Sequence, residues 1–225
     1  MDALVMCGGT GDRLDADVEK PLYPVASEPM IDRVRRALDK TDIESTYAVV
    51  SPNAPETRAH LDGETPCIET PGDGYVADLG RALDDPQIEP PVLTVAADLA
   101  LLTADTVDDV RRAYRQRVRA RARSEPEAGE TRSGNHDSPS MTVCVPREVK
   151  RRLGVSVEET SVGADTLVPT GLNVVGSGGD GDQRGADDGD PPAPLVHVVR
   201  TADAAINVNR LEDAAIADRL ATRHR

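Results

Sequence analysis

Apolar residues fall along this chain in two rhythms. The first is the short, nearly continuous run. Residues 3–7, 46–50 and 91–97 read this way, with the length and branched-residue content of strands buried on both faces. The second is helical spacing. Met30, Ile31, Val34, Ala37 and Leu38 recur with charges between them, predicting a helix over 29–39 that opens on Pro29. Val76, Leu79, Ala82 and Leu83 mark another, and Val107, Val110, Tyr114 and Val118 a third that starts at Thr103. A short helix over 55–61 and a short strand over 67–70 fill the intervals. Further on, 141–146, 172–175 and 195–199 read as strands, 147–153 as a short helix and 211–220 as a C-terminal helix. Strands alternating with helices predict an α/β fold with a mostly parallel central sheet and helices on both faces. Two tracts, 123–139 and 176–194, break the pattern. They are polar and rich in Gly, Pro, Ser and charge, with too little apolar content to pack, and are expected as mobile insertions in one domain spanning 1–225.

Composition narrows the picture. A chain of 225 residues can bury one sizeable core. No stretch approaches the ~20 apolar residues of a membrane span. The first strand begins at residue 3, leaving no room for a leader, so a cytoplasmic protein is expected. Cys7, Cys67 and Cys144 are an odd, scattered set, read as reduced core residues rather than disulfides or zinc ligands. The formal net charge of −14 argues against nucleic-acid binding. Lysine is limited to Lys20, Lys40 and Lys150, and there is no Phe or Trp. An acidic, lysine-poor chain of this kind resembles the proteins of salt-in halophiles.

The strongest local signal follows the first strand: Gly8-Gly9-Thr10-Gly11-Asp12-Arg13-Leu14, an acidic spacer, then Glu19-Lys20-Pro21-Leu22. Glycines let a backbone approach a ligand closely, and successive amides in such a loop form an anion nest. Arg13 and Lys20 add the positive charge a triphosphate requires. A Walker loop would end in Gly-Lys-Ser/Thr, and a dinucleotide fingerprint would place glycine where Leu14 stands; neither is present. An ordinary glycine turn explains the three glycines but not the two cations. Gly-Gly-x-Gly-x-Arg-Leu with Glu-Lys-Pro-Leu resembles the signature of the MobA-like nucleotidyltransferases, which implies a Rossmann-like fold and transfer of a nucleoside monophosphate from an NTP to a phosphate or sugar phosphate.

Asp98 directly follows the apolar run 91–97. Ligands of open α/β sheets lie beyond the carboxyl ends of strands, where a carboxylate suits Mg²⁺; a helix cap is the plainer alternative. Asn207-Val208-Asn209 resembles the family's late Asn-x-Asn segment, which implies that Asn207 joins Asp98 at the metal. Arg210 and Leu211 depart from the family's usual Thr-Pro, and Asn209 also reads as a helix N-cap.

Ser51, Asn53, Thr70, Gly72 and Gly74 follow short strands. Their hydroxyl, amide and backbone groups are candidates for reading a purine and ribose. Together with the run 168–175, they extend the resemblance to the archaeal guanylyltransferases that act on adenosylcobinamide phosphate. That resemblance implies GTP as donor, with Gly8, Gly9, Thr10, Gly11 and Asp12 around it. It implies catalytic roles for Arg13, Lys20 and Asp98, and an acceptor side at Gly171 and Asn173. Another acceptor, molybdopterin or phospholactate, and a non-catalytic GTP sensor remain as alternatives. His60, His136, His197 and His224 sit in unrelated segments, and no covalent nucleophile is signalled, which suits direct attack of the acceptor on the donor.

One prediction follows from charge alone. Screening at molar salt cuts electrostatic range to ~3 Å. The thermal midpoint is expected to rise steeply from dilute buffer to molar KCl; a flat response counts against the halophilic reading.

Overall fold

The strand β1 (Ala3–Met6) lies inside the sheet of the structure, a computed structural model that describes residues 1–9, 11, 13–124, 138–157, 166–177 and 195–223. Its side chains alternate between two cores, as period-two geometry requires. Ala3 and Val5 face one apolar cluster and Leu4 faces another. On one side β1 pairs in parallel with β4 (Thr46–Val50), in register Ala3 to Thr46, and β4 carries β5 (Cys67–Glu69) outward. On the other side β1 pairs in parallel with β6 (Val92–Ala96).

Beyond β6 the sheet reverses. Strand β8 (Leu167–Val175) runs antiparallel to both β6 and β7 (Met141–Pro146), and β9 (Leu195–Val198) closes the far edge parallel to β7. The order is β5-β4-β1-β6-β8-β7-β9. Helices cover both faces. The five apolar positions of α1 (Met30–Leu38) are all buried. Ile31 and Val34 join Val107, Val110 and Tyr114 of α4 (Ala104–Ser124) over Val5 and Val95. Ala82 of α3 (Tyr75–Leu83) packs on Leu4 and Val49 from the opposite face.

Several boundaries move for physical reasons. Strand β8 begins five residues earlier than periodicity predicts, because Pro169 and Gly171, both poor strand formers, interrupt the apolar run. The chain tolerates them where the pairing with β7 shifts register, between Thr142 and Cys144. Helix α4 continues to Ser124, into the start of the first polar tract. Near the end of the first tract and the start of the second, Ser138 N donates to Ser177 Oγ at 2.9 Å. Of the insertions expected at 123–139 and 176–194, residues 125–137 and 178–194 lie outside the described residues, as do Thr10, Asp12 and His224. Val76, one of the positions that mark a helix, lies in the first turn of α3 and is 82% exposed.

Periodicity also misses a hairpin, β2 (Pro24–Val25) with β3 (Glu28–Pro29). Its turn residues Ala26 and Ser27 have φ of 51° and 66°. Such a turn normally takes Asn-Gly, so no turn signal is present. Ala26 N donates to Asp218 Oδ1 of α7 (Leu211–Arg223) at 2.6 Å, and Val25 joins Leu14, Ile206 and Ala217 in a third cluster beneath that helix.

Cys7, Cys67 and Cys144 are free thiols, and burial pushes each above the usual thiol range. No helix among the described residues is long and apolar enough to cross a membrane.

Helix α6 (Ala202–Ala205) is tied to the start of α4 by Asp203. Burial alone would raise its carboxyl. Hydroxyls of Thr103 at 2.5 Å and Thr106 at 2.6 Å outweigh that and hold it below the ordinary value of 3.8. A depressed carboxyl stabilises the fold above its unfolded value and loses that contribution as pH falls through the folded one. Asp203→Asn is therefore expected to lower the thermal midpoint at neutral pH, and the two melting curves are expected to converge below pH 3.8. A pH-independent gap contradicts this.

Candidate active site

Because β1, β4 and β6 are parallel, their carboxyl ends meet at one edge of the sheet, where α/β ligands bind. The cleft there is lined by Gly8, Gly9, Arg13, Lys20, Gly74, Tyr75, Asp78 and Asp98. Gly8 and Gly9 leave β1. A Cβ on Gly9 would meet no atom within 4 Å, so this backbone faces open space. Gly11, at φ +72°, passes 3.1 Å from the Lys20 side chain, measured from its own ideal Cβ.

Lys20 heads a single 3-10 turn, Lys20–Leu22, anchored by buried Pro21. Glu19, in the same motif, serves another element. Its carboxylate accepts the amides of Glu56 and Thr57, each at 2.7 Å, and the Thr57 hydroxyl at 2.6 Å. These are the first N–H groups of α2 (Pro55–His60), which no earlier turn can satisfy. Glu19 thus fixes the segment that carries Lys20.

Lys20 Nζ lies 2.6 Å from Asp98 Oδ2 and 2.7 Å from Asn209 Oδ1. The Lys20 and Asp98 side chains are only 18% and 14% exposed, so water screens the pair weakly. Asp98 Oδ1 accepts from Asn207 Nδ2 at 2.9 Å, and the Asp98 carbonyl accepts from Val208 N at 3.1 Å. Both asparagines of the late segment therefore face the Lys20–Asp98 pair. Asn207 turns its nitrogen to Asp98 and its oxygen to Lys150 Nζ, at 3.1 Å, so Asn209 rather than the expected Asn207 presents an oxygen on the side of Lys20 and Asp98.

Asn209 is not an N-cap: Asp213, three residues into the next turn, accepts the amides of Asn209 and Arg210 instead. Asp213 also accepts from Ser156 N and Oγ, each at 2.7 Å, which staples the late segment to the turn after α5 (Arg147–Leu153).

Other candidates take structural parts. Ser51 Oγ donates to Gly8 O at 3.0 Å, holding the glycine loop against β4. Thr70 Oγ1 donates to Val50 O at 3.1 Å. Gly72, at φ +83°, is pressed against Ser51 and Asn53, where a Cβ would come within 2.8 Å of Asn53 Nδ2. Gly74 precedes α3. Gly171, at φ +80°, has no room for a Cβ, which would stand 2.9 Å from that of Ala96 and 3.3 Å from Asn207 Nδ2. Asn173 lies opposite Thr94 in the β6–β8 ladder and buries its Oδ1 with no hydrogen-bond partner among the described residues. His60 faces Asp32 and His197 faces Asp109, both away from the cleft lining.

Two buried charges in or near the site escaped the sequence reading. Asp78 is 3% exposed in the cleft wall, with Oδ1 accepting Gly72 N at 2.9 Å and Oδ2 beside Gly8. Its signal was a carboxylate four residues before Ala82, on the apolar side of α3. Lys150 is 2% exposed on α5. Its signal was the scarcity of lysine that had already drawn attention to Lys20.

The oxygens of Asp98 and Asn209 are hard donors of the kind Mg²⁺ takes, and the Lys20 ammonium between them marks a position suited to a cation. Among the described residues no three His, Cys, Asp or Glu side chains gather. Mg²⁺ at phosphates commonly needs only one or two carboxylates.

The chain is similar to an adenosylcobinamide-phosphate guanylyltransferase of Methanocaldococcus jannaschii, 28% identical over 181 residues, covering 78% of this chain and 80% of that one. A 60-residue stretch is 37% identical to the bifunctional protein GlmU of Rhizobium rhizogenes, covering 27% of this chain and 13% of that longer protein. Among solved structures, the bifunctional IspDF of Campylobacter jejuni superposes with a TM-score of 0.61 at 12% identity, over 96% of this chain and 53% of that one, a likeness of fold alone. The model of the MobA-like NTP transferase domain matches residues 3–209. The chain belongs to that family of nucleotidyltransferases.

Proposed function

We propose that this nucleotidyltransferase moves GMP from GTP to adenosylcobinamide phosphate, giving adenosylcobinamide-GDP and pyrophosphate. The observation that carries this reading is the similarity to the M. jannaschii guanylyltransferase, across 78% of this chain and 80% of that one. Asp78 supports guanine. A carboxylate in the cleft wall matches the adjacent N1–H and N2–H donors of guanine, whereas adenine presents an acceptor at N1.

In this reading the amides of Gly8, Gly9 and Gly11 cradle the triphosphate, and Thr10 and Asp12 belong to the same loop. Arg13 and Lys20 neutralise it. Lys20 leaves Asp98 for the phosphates as GTP arrives, and Asp98 with Asn209 would then hold Mg²⁺. The metal, when bound, neutralises phosphate charge and polarises the α-phosphate. An oxygen of the acceptor phosphate attacks the α-phosphorus. A new P–O bond forms, the α–β bridging P–O bond breaks, and its electron pair departs on pyrophosphate. Lys20 meets the charge that grows on that leaving group. The acceptor lies toward Gly171 and Asn173 of β8, the strand paired with β6.

Calorimetry in high salt is expected to show tighter binding of GTP than ATP. In Asp78→Asn the preference is expected to shift from GTP toward xanthosine triphosphate, whose C2 carbonyl suits an amide donor. An equal loss of both nucleotides assigns Asp78 to the scaffold instead. Lys20→Ala is expected to lower turnover by about 3–4 kcal/mol of transition-state stabilisation. Asp98→Ala should retain GTP binding, fail in transfer and recover in part as Mg²⁺ is raised. Near wild-type turnover in Asp98→Ala overturns its assignment.

A further inference from the structure

We infer that Lys150 is a positioning residue for transfer: it locks the amide of Asn207 with nitrogen toward Asp98. This rests on Asp98 being the carboxylate of the reacting site.

A buried ammonium is costly, and this chain spends one of its three lysines on one. Lys150 lies on α5 and is not among the residues that line the cleft. It reaches Asn207 Oδ1 at 3.1 Å. An ammonium offers donors and no acceptor, so the amide end facing it must be oxygen. The nitrogen end is then committed to two acceptors, Asp98 Oδ1 and Thr170 O, each at 2.9 Å. Rotating the amide by half a turn would set its nitrogen against the ammonium and its oxygen against the Thr170 carbonyl and the Asp98 carboxylate. Lys150 and Thr170 together bar that rotation.

The consequence lies at Asp98. With Oδ1 held by Asn207, the carboxylate plane is fixed and Oδ2 points to Lys20 Nζ, beside Asn209 Oδ1. Without Lys150, one of the two constraints on the amide is gone. A cation arriving at Asp98 would then draw the Asn207 oxygen toward itself and turn the carboxylate. The amide nitrogen at Asp98 is thus set by a charge that is not part of the cleft lining.

The test uses the full chain in molar KCl, with Lys150→Met, Lys150→Gln, Asn207→Ala and the Lys150→Met/Asn207→Ala double variant. The first readout needs no activity. The side-chain ¹⁵NH₂ pair of Asn207, assigned by its loss in Asn207→Ala, is expected to be sharp and slow to exchange in the wild type. It should broaden and exchange at least tenfold faster in Lys150→Met. Lys150→Gln, whose amide offers an acceptor as well as donors and so fits either orientation of Asn207, is expected to broaden it likewise.

The second readout is guanylyl transfer across a Mg²⁺ series. Lys150→Met is expected to lower kcat at least tenfold with KM for GTP within twofold, and Lys150→Gln to lower it as well. In the Asn207→Ala background, Lys150→Met should cost nothing further. An unchanged amide pair, additive losses in the double variant, or a Lys150→Gln indistinguishable from wild type overturns the inference. If Lys150→Met fails to fold, Lys150→Gln decides by the amide pair: a pair as sharp and slow to exchange as in the wild type overturns it. A wild type that does not transfer GMP refutes the proposed function and leaves the amide readout to judge Lys150.

Discussion

An ammonium held between a carboxylate and an amide oxygen joins three remote parts of this chain. Lys20 comes from the loop after the first strand, Asp98 from the end of the central sheet and Asn209 from the segment before the last helix. Each charge is partly withdrawn from water, so neither is stable there without the other. The surrounding structure keeps them in reach. Glu19 pins the Lys20 turn to α2, Asp213 ties the Asn209 segment to the turn after α5, and parallel pairing of β1 with β6 sets Asp98 beside the glycine loop.

Much of the fold was legible because burial on two faces writes itself into the chain. The runs that became β1, β4 and β6 are apolar almost throughout, and α1 buries each apolar residue its spacing marks. The failures share a cause. At β8, Pro169 and Gly171 are kept for local geometry, and at the β2–β3 turn Ala26 and Ser27 adopt φ values that composition does not announce. In each case tertiary context overrides local preference.

The site divides in the same way. Gly8, Gly9, Arg13 and Lys20 sit within one short stretch, and the strand before Asp98 gave that residue its place. Roles that depend on a distant partner were hidden. The hydroxyls of Ser51 and Thr70 serve the backbone rather than the cleft surface. Asp78 and Lys150 lie within helices whose sequences carry no local motif, and only folding shows that one lines the cleft and the other meets Asn207.

The separation of Lys20 from Asn209 also bears on synthesis. Domains fold as they emerge from the ribosome, amino end first. The glycine loop, β1 and β4 are available early, yet the amide that completes the Lys20 contact arrives 189 residues after the lysine itself. A nascent chain therefore carries the glycine loop long before it can assemble the Lys20–Asp98–Asn209 arrangement. In the proposed function, the order of translation separates holding a nucleotide from acting on it.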